Sequence, residues 1–266
     1  MADRIKPHVI EKVKLIREWE NKMQLKEAKK LNFIKYHNYY APSRLINESK
    51  TVLSFGVGGE CKFEKLMLHE NDNLKIELFD PTPYTVKHIE SKMHRSGRKL
   101  INDVNRNRNL TKKINFSPFA YSHINGRQEF YYDPKREEEF KDYIHHLAQS
   151  FSLLKQKNYF KSVTVKTKNI QTILKELGWN SVDIIKADIE GLWEEFGNEL
   201  LDNKIDFKYL ATEFELNFDK NINIALDRAT KLCNKFRDNN YTVILNRKRD
   251  KVMLELLFIR KDVYAG

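Results

Sequence analysis

Ile184-Ile185-Lys186-Ala187-Asp188-Ile189-Glu190-Gly191 is a short apolar run that ends in two carboxylates one residue apart, followed by glycine. A buried parallel strand has this form where it delivers acidic side chains to the carboxyl edge of a sheet. Open α/β sheets take up ligands at that edge. Asp188 and Glu190 are therefore candidates for chemistry rather than for a solvated surface. Lys186 lies two positions before Asp188 and so on the same strand face. It either pairs with a carboxylate or stretches along the sheet surface.

On both sides of this run the chain alternates between strand and helix patterns. Upstream, Thr51–Phe55 and Leu74–Phe79 read as strands, ending at Gly56 and at Asp80-Pro81. Residues 60–69 and about 83–98 have helical patterns between and after them. Ile114–Tyr121 reads as a third strand, Arg127–Tyr132 as an additional one after the turn at Gly126, and Ser162–Thr167 as extended. Asn169–Leu177 is a predicted helix stopped by Gly178. Downstream, helices over 194–201 and 221–238 flank a strand over 207–213, and Tyr241–Leu245 with Val252–Ile259 close the chain as a hairpin. The alternation predicts a doubly wound, mostly parallel α/β sheet of Rossmann-like type with one antiparallel strand at its C-terminus. Residues 1–36 read mainly as helix, interrupted around Pro42, so residues 1–47 form an N-terminal helical extension to a domain over 48–266.

The chain has 266 residues, 41% hydrophobic and 12% aromatic, enough for a sizeable core and too apolar for wholesale disorder. No run approaches the roughly 18 apolar residues of a membrane span. The N-terminus is too charged for a secretory signal. Two distant cysteines, Cys61 and Cys233, suggest neither a disulfide framework nor a cysteine zinc site. A reducing cytoplasm is the default location. The net charge of +11 points to a nucleic-acid partner or another anion, but lysine is spread along the whole chain. The densest basic stretch, 92–113, contains His94, Arg95, Arg98, Lys99, Arg106 and Arg108; a solvated helix and loop is its simpler reading.

The first strand runs into Phe55-Gly56-Val57-Gly58-Gly59-Glu60, and the second ends in Asp80. Glycines after a strand let the backbone approach a ligand, and an acidic strand end can accept hydrogen bonds from ribose hydroxyls. Cys61 occupies the last glycine position of a dinucleotide fingerprint, so a smaller adenosine-containing ligand is favoured. A tight turn with a surface aspartate is the alternative.

Several segments together resemble the FkbM-type methyltransferases, a branch of the S-adenosylmethionine-dependent Rossmann-like enzymes. They are Ile76–Pro83, the segment Phe119-Ala120-Tyr121-Ser122 with Gly126 and Phe130, the run Val182–Gly191, and Ala211-Thr212-Glu213-Phe214-Glu215. The likeness covers roughly residues 50–260, and the run ending in Glu190-Gly191 is its specific part. The chain departs from the family at Ser54, where an acidic residue is common, at Val57 and Gly58, and at Leu192-Trp193 before Glu194.

The resemblance implies S-adenosylmethionine as cofactor, bound by Phe55, Gly56, Gly58, Gly59, Glu60, Asp80, Pro81, Phe119 and Ala120. It implies an O-methyltransferase acting on a hydroxyl of a sugar or glycan, with Asp188, Glu190 and Glu213 as the catalytic candidates. A divalent metal held by Asp188 and Glu213 is a further candidate, since oxygen ligands suit such ions. Glu190 could instead cap the following helix. His123, His145 and His146 have the right chemistry for a general base but no partner fixed by the sequence. Tyr143, Phe151, Tyr159 and Phe160 would suit a sugar-binding surface or ordinary packing. RNA methylation, and a nucleotide-binding or interaction protein without activity, are the competing readings. Acceptor, metal requirement and oligomeric state are not legible in the sequence.

Overall fold

In the computed structural model, residues 7–57, 61–83, 85–86, 114–133, 151–155, 161–216, 221–247 and 253–264 are described. Within them, eight strands form one sheet. In spatial order these are β1 (Lys26–Glu27), β12 (Tyr241–Arg247), β13 (Met253–Arg260), β11 (Asp206–Glu215), β10 (Ser181–Ala187), β4 (Thr51–Phe55), β5 (Lys75–Phe79) and β6 (Ile114–Ser117). Pairing is parallel throughout except around β13, which enters antiparallel between β11 and β12. This is the expected doubly wound sheet with its antiparallel terminal strand. Strand order reverses between β4 and β10, and such a switch point opens a crevice at the carboxyl ends.

Alternate residues of the central strands go to opposite faces, and both faces are covered. Leu53, Ile185, Leu210 and Phe258 join one core with Phe196, Ala229 and Phe236; Val52, Ile76, Ile184, Tyr209 and Ile259 join the other with Leu45, Ile46, Phe63 and Met67. That two-sided burial explains why these strands read as continuous apolar runs. Helices α5 (Trp193–Asp202) and α6 (Ile222–Asp238) cover the first face, and α2 (Ser43–Glu48) and α3 (Lys62–Glu70) the second. Helix α4 (Ile170–Leu177) begins where Asn169 accepts a hydrogen bond from the Thr172 N–H at 2.8 Å, and it ends at Gly178.

Two expectations are corrected. The N-terminal helix α1 stops at Lys22 instead of reaching residue 36. After it come β1, on the edge of the main sheet, and a hairpin of β2 (Ile34–Tyr36) and β3 (Tyr39–Ala41). Helix α1 lies against α6, with Trp19 Nε1 donating to Thr230 Oγ1 at 2.7 Å, and Ile16, Trp19 and Met23 belong to the first core. The second correction concerns 114–121, which is two strands rather than one. Pro118 has no N–H to continue the ladder, and beyond it β7 (Phe119–Tyr121) joins a separate sheet with β9 (Lys161–Lys168) and β8 (Gly126–Tyr132). Among the described residues, no helix is long and apolar enough to cross a membrane. The basic stretch 92–113 and, beyond residue 86, the helix expected over about 83–98 lie outside the described residues.

Candidate active site at the carboxyl edge

The turn after β4 sits against the end of β10. The Gly56 N–H donates to the Phe79 carbonyl at 2.9 Å, and the Asp188 N–H donates to the Phe55 carbonyl at 3.2 Å. Gly56 has φ +65°, and a Cβ there would stand 1.9 Å from the Asp188 carbonyl oxygen. Only glycine fits both the conformation and the space. Lys186, 8% exposed at its side chain, crosses beneath this turn. Its Nζ donates to the carbonyls of Phe55 at 3.2 Å and Gly56 at 2.6 Å, and lies 3.7 Å from Asp188 Oδ2. Of the two roles open to Lys186 in the sequence, the structure selects pairing, and adds a backbone lock between two strands.

At the end of β5 the Asp80 carboxylate is buried, and its Oδ1 accepts from the Thr82 N–H at 2.9 Å and the Thr82 hydroxyl at 2.7 Å. Thr82 Oγ1 is also within 2.7 Å of Thr85 Oγ1. Pro81 lies between, half-buried. These bonds fix the carboxylate's direction. The strand end, the glycine turn and Asp80 form a cradle that fits a nucleoside-bearing cofactor. Behind it, the Ser54 hydroxyl donates to Glu64 of α3, so a buried carboxylate stands where the strand itself lacks one.

The other expected cofactor residues divide. The Phe55 ring stacks on Phe79 at 4.8 Å in the core, so it meets the site through its backbone. Phe119 packs against Phe79 at 4.8 Å, with the Lys168 ammonium 4.6 Å above its ring. Ala120 is buried with Phe130 and Val165 in the small sheet's own cluster. Gly58, Gly59 and Glu60 lie outside the described residues, as do His145, His146, Tyr143, Tyr159 and Phe160. His123 is exposed and pairs with Glu195 of α5 at 2.7 Å.

The acidic residues converge. Register places Ala187 opposite Thr212, so Asp188, just past the end of β10, stands beside Glu213 of β11. Oxygens of Asp188, Glu213 and Glu215 lie within 4.8 Å of one another. Glu215 is 4% exposed, and its Oε2 accepts from the Gly191 N–H at 3.0 Å. Burial first, then the carboxylates of Glu190 and Asp188, push the Glu215 carboxyl well above its ordinary value, against the Gly191 bond. Glu215 was not among the expected site residues, although its spacing of two from Glu213 puts both on one face of β11. The N-cap position of α5 is held by Leu192 rather than Glu190. The Glu190 carbonyl accepts from the Ser152 hydroxyl at 2.7 Å, which ties the Phe151 segment to the site. Phe151 stacks on Tyr132 at 4.7 Å and Phe130 at 5.6 Å.

The family model described as the methyltransferase FkbM domain matches residues 57–195. No curated protein matches the sequence significantly. Among solved structures, the chain is similar to an O-methyltransferase family protein from Burkholderia thailandensis, at 10% identity and a TM-score of 0.38. That match covers 81% of this chain and 52% of the other, so this chain spans about half the length of that relative. It is similar to the O-methyltransferase from Bacillus cereus in complex with S-adenosylhomocysteine, at 9% identity, TM-score 0.41, covering 97% and 94% of the two chains. A third is an O-methyltransferase from Streptomyces achromogenes involved in tomaymycin synthesis, in complex with S-adenosylmethionine, at 7% identity, TM-score 0.43, covering 98% and 92%.

Proposed function

The chain belongs to the FkbM methyltransferase family, a family of S-adenosylmethionine-dependent enzymes, and on that premise we propose that it methylates a hydroxyl of a sugar or glycan. One observation carries the reading. Asp188, 37% exposed at its side chain, stands at the carboxyl end of β10 with its own backbone bonded to the cofactor turn. A carboxylate so placed faces the ligand edge of the sheet and the end of the cofactor cradle at once.

In this reading Asp80 holds the ribose hydroxyls of S-adenosylmethionine and the Gly56 turn passes beneath its methionine portion. The acceptor oxygen attacks the methyl carbon in line. A carbon–oxygen bond forms as the carbon–sulfur bond breaks, and the sulfonium becomes the neutral thioether of S-adenosylhomocysteine. The hydroxyl proton passes to the Asp188 carboxylate, because an alcohol is a weak nucleophile until it loses that proton. Lys186 holds the turn and Asp188 in register. A divalent cation at the strand-end carboxylates would, when bound, polarise the acceptor oxygen. The aromatic group of Phe130, Tyr132 and Phe151, tied to the site through Ser152, supports a ring-shaped acceptor.

The test is methyl transfer from labelled S-adenosylmethionine to a panel of free sugars, nucleotide sugars, glycans and RNA. An O-methylated sugar is the expected product. Methylation of RNA alone, or S-adenosylhomocysteine binding without transfer to any acceptor, would overturn the assignment and favour the competing readings.

A further inference from the structure

We propose that Asp188, Glu213 and Glu215 form a binding site for one hard divalent cation, Mg2+ or Mn2+, at the carboxyl ends of β10 and β11. Its use in methyl transfer rests on the function proposed above, whereas the site itself rests on the carboxylates alone.

The first ground is geometric. Ligand oxygens of all three residues lie within 4.8 Å of one another. Oxygens bound to one such ion at about 2.1–2.4 Å stand no more than about 4.2–4.8 Å apart, even on opposite sides of it. A single ion can therefore bond all three carboxylates without moving a strand. The parallel ladder fixes their spacing: Asp188 follows Ala187, which is opposite Thr212, while Glu213 and Glu215 follow on one face of β11.

The second ground is independent of the cluster. Glu215 is 4% exposed, and its Oε1 is buried with no hydrogen-bond partner among the described residues, although Oε2 is bonded to the Gly191 N–H. Leaving a buried carboxylate oxygen unbonded destabilises the fold, because the oxygen has lost its water without gaining a donor. By contrast, the neighbouring buried acid Glu255 accepts a hydrogen bond from Asn246 Nδ2 at 2.9 Å. Glu215 Oε1 has no such donor, and an oxygen of Glu215 lies within 4.8 Å of oxygens of two further acids. Lys186, committed to two carbonyls, lies 3.7 Å from Asp188. The orphaned oxygen of Glu215 is answered by a cation.

The donor set selects the ion. Three carboxylates with no sulfur or imidazole suit Mg2+ and Mn2+ rather than zinc. Three protein ligands also leave positions open for water and for an acceptor oxygen, which is the arrangement of a working site rather than a closed structural one.

The experiment is titration of the full chain with Mn2+ alone, followed by electron paramagnetic resonance and calorimetry, with Mg2+ as competitor and without acceptor. One Mn2+ per chain, displaced by Mg2+, is expected. Glu215→Gln and Glu213→Gln should each weaken it roughly tenfold or more. Far-UV circular dichroism and S-adenosylhomocysteine binding report whether each variant is folded. Absence of Mn2+ binding by the wild-type chain, or equal affinity in both folded variants, overturns the site. Because S-adenosylhomocysteine affinity is read on the same samples, a lost metal site with intact cofactor binding leaves the methyltransferase reading standing. Mn2+ binding with no sugar methylation would sink the acceptor assignment alone.

Discussion

The Lys186 ammonium donates to the Gly56 carbonyl at 2.6 Å, so a side chain of β10 holds the glycine turn that follows β4. The same nitrogen bonds the Phe55 carbonyl at 3.2 Å. Lys186→Met leaves both acceptors without that donor in a buried place, a loss of about 1–3 kcal/mol. Lys186→Arg should not restore it, because a planar guanidinium does not fit the space of an ammonium. S-adenosylhomocysteine affinity should fall in both variants, together with the thermal midpoint. Unchanged affinity by calorimetry in Lys186→Met would remove the lysine from any role in shaping the turn.

Gly56→Ala tests the same turn from the backbone. Its φ of +65° and the 1.9 Å approach of a Cβ to the Asp188 carbonyl oxygen leave the turn no way to keep its place. Left-handed backbone costs a non-glycine residue about 1–2 kcal/mol before any clash is counted. Cofactor binding should be lost beyond roughly tenfold even if the chain still folds, because β4 and β10 must part at their ends. Wild-type affinity in this variant would mean that the cofactor does not lie over Gly56.

The sheet was legible because its strands are buried on both faces and so read as apolar runs ending in glycine or acid, as at Phe55-Gly56, Phe79-Asp80 and Ala187-Asp188. The site was legible where chemistry coincided with a strand end, which is why Asp80 and Asp188 stood out. Glu215 was not, because its significance depends on being buried beside Asp188 from another strand, a contact that spacing along one chain does not reveal. Residues 23–36 were misread as helix because the apolar residues of α1 and of the segment just after it happen to continue one helical spacing. Gln24 and Asn32, both at positive φ, break it in the structure. The division at Pro118 had a visible signal in the proline itself.

Asp183 offers a stability test away from the chemistry, at the opposite end of β10. Its Oδ2 accepts from the Lys50 N–H at 2.7 Å and the Thr51 N–H at 3.2 Å, and Oδ1 pairs with Lys208 at 2.7 Å. Burial alone would raise this carboxyl, but the bonds from Lys208, Lys50 and Thr51 outweigh it and hold it below its ordinary value. A depressed carboxyl stabilises the fold fully above its unfolded pKa, about 3.9, and loses that effect as pH falls through the folded value. Asp183→Asn should therefore cost about 1–2 kcal/mol at pH 7, allowing for solvent at Lys208. The gap from wild type should narrow as pH drops from about 5 to about 3. Urea unfolding at several pH values measures this, and a gap independent of pH would show that the carboxylate's charge is not what matters.

Asp80→Ala removes the acceptor assigned to the ribose hydroxyls, and Thr82→Val removes one of the bonds that orient it. Hydrogen bonds to a charged group are worth about 1.5–3 kcal/mol, so Asp80→Ala should weaken S-adenosylhomocysteine roughly ten- to a hundredfold. Thr82→Val should have a smaller effect in the same direction. A compound lacking the ribose hydroxyls should bind Asp80→Ala and wild type alike. If it still distinguishes them, Asp80 contacts another part of the cofactor.

Asp188→Asn separates the chemistry from the scaffold. The substitution keeps the side chain's size and leaves the backbone bond to Phe55 in place, so the turn and the cofactor cradle should persist. What it removes is the basic oxygen that takes the acceptor's proton. General-base catalysis contributes about a hundred- to ten-thousandfold, and turnover should fall within that range while S-adenosylhomocysteine affinity changes little. If the proton acceptor is Asp188, raising the pH should partly restore the variant's rate, since an acceptor hydroxyl that ionises in solution needs no base. A rate that remains low at every pH, with cofactor affinity intact, would assign Asp188 to holding the cation or positioning the acceptor. A rate equal to wild type would take it out of the reaction.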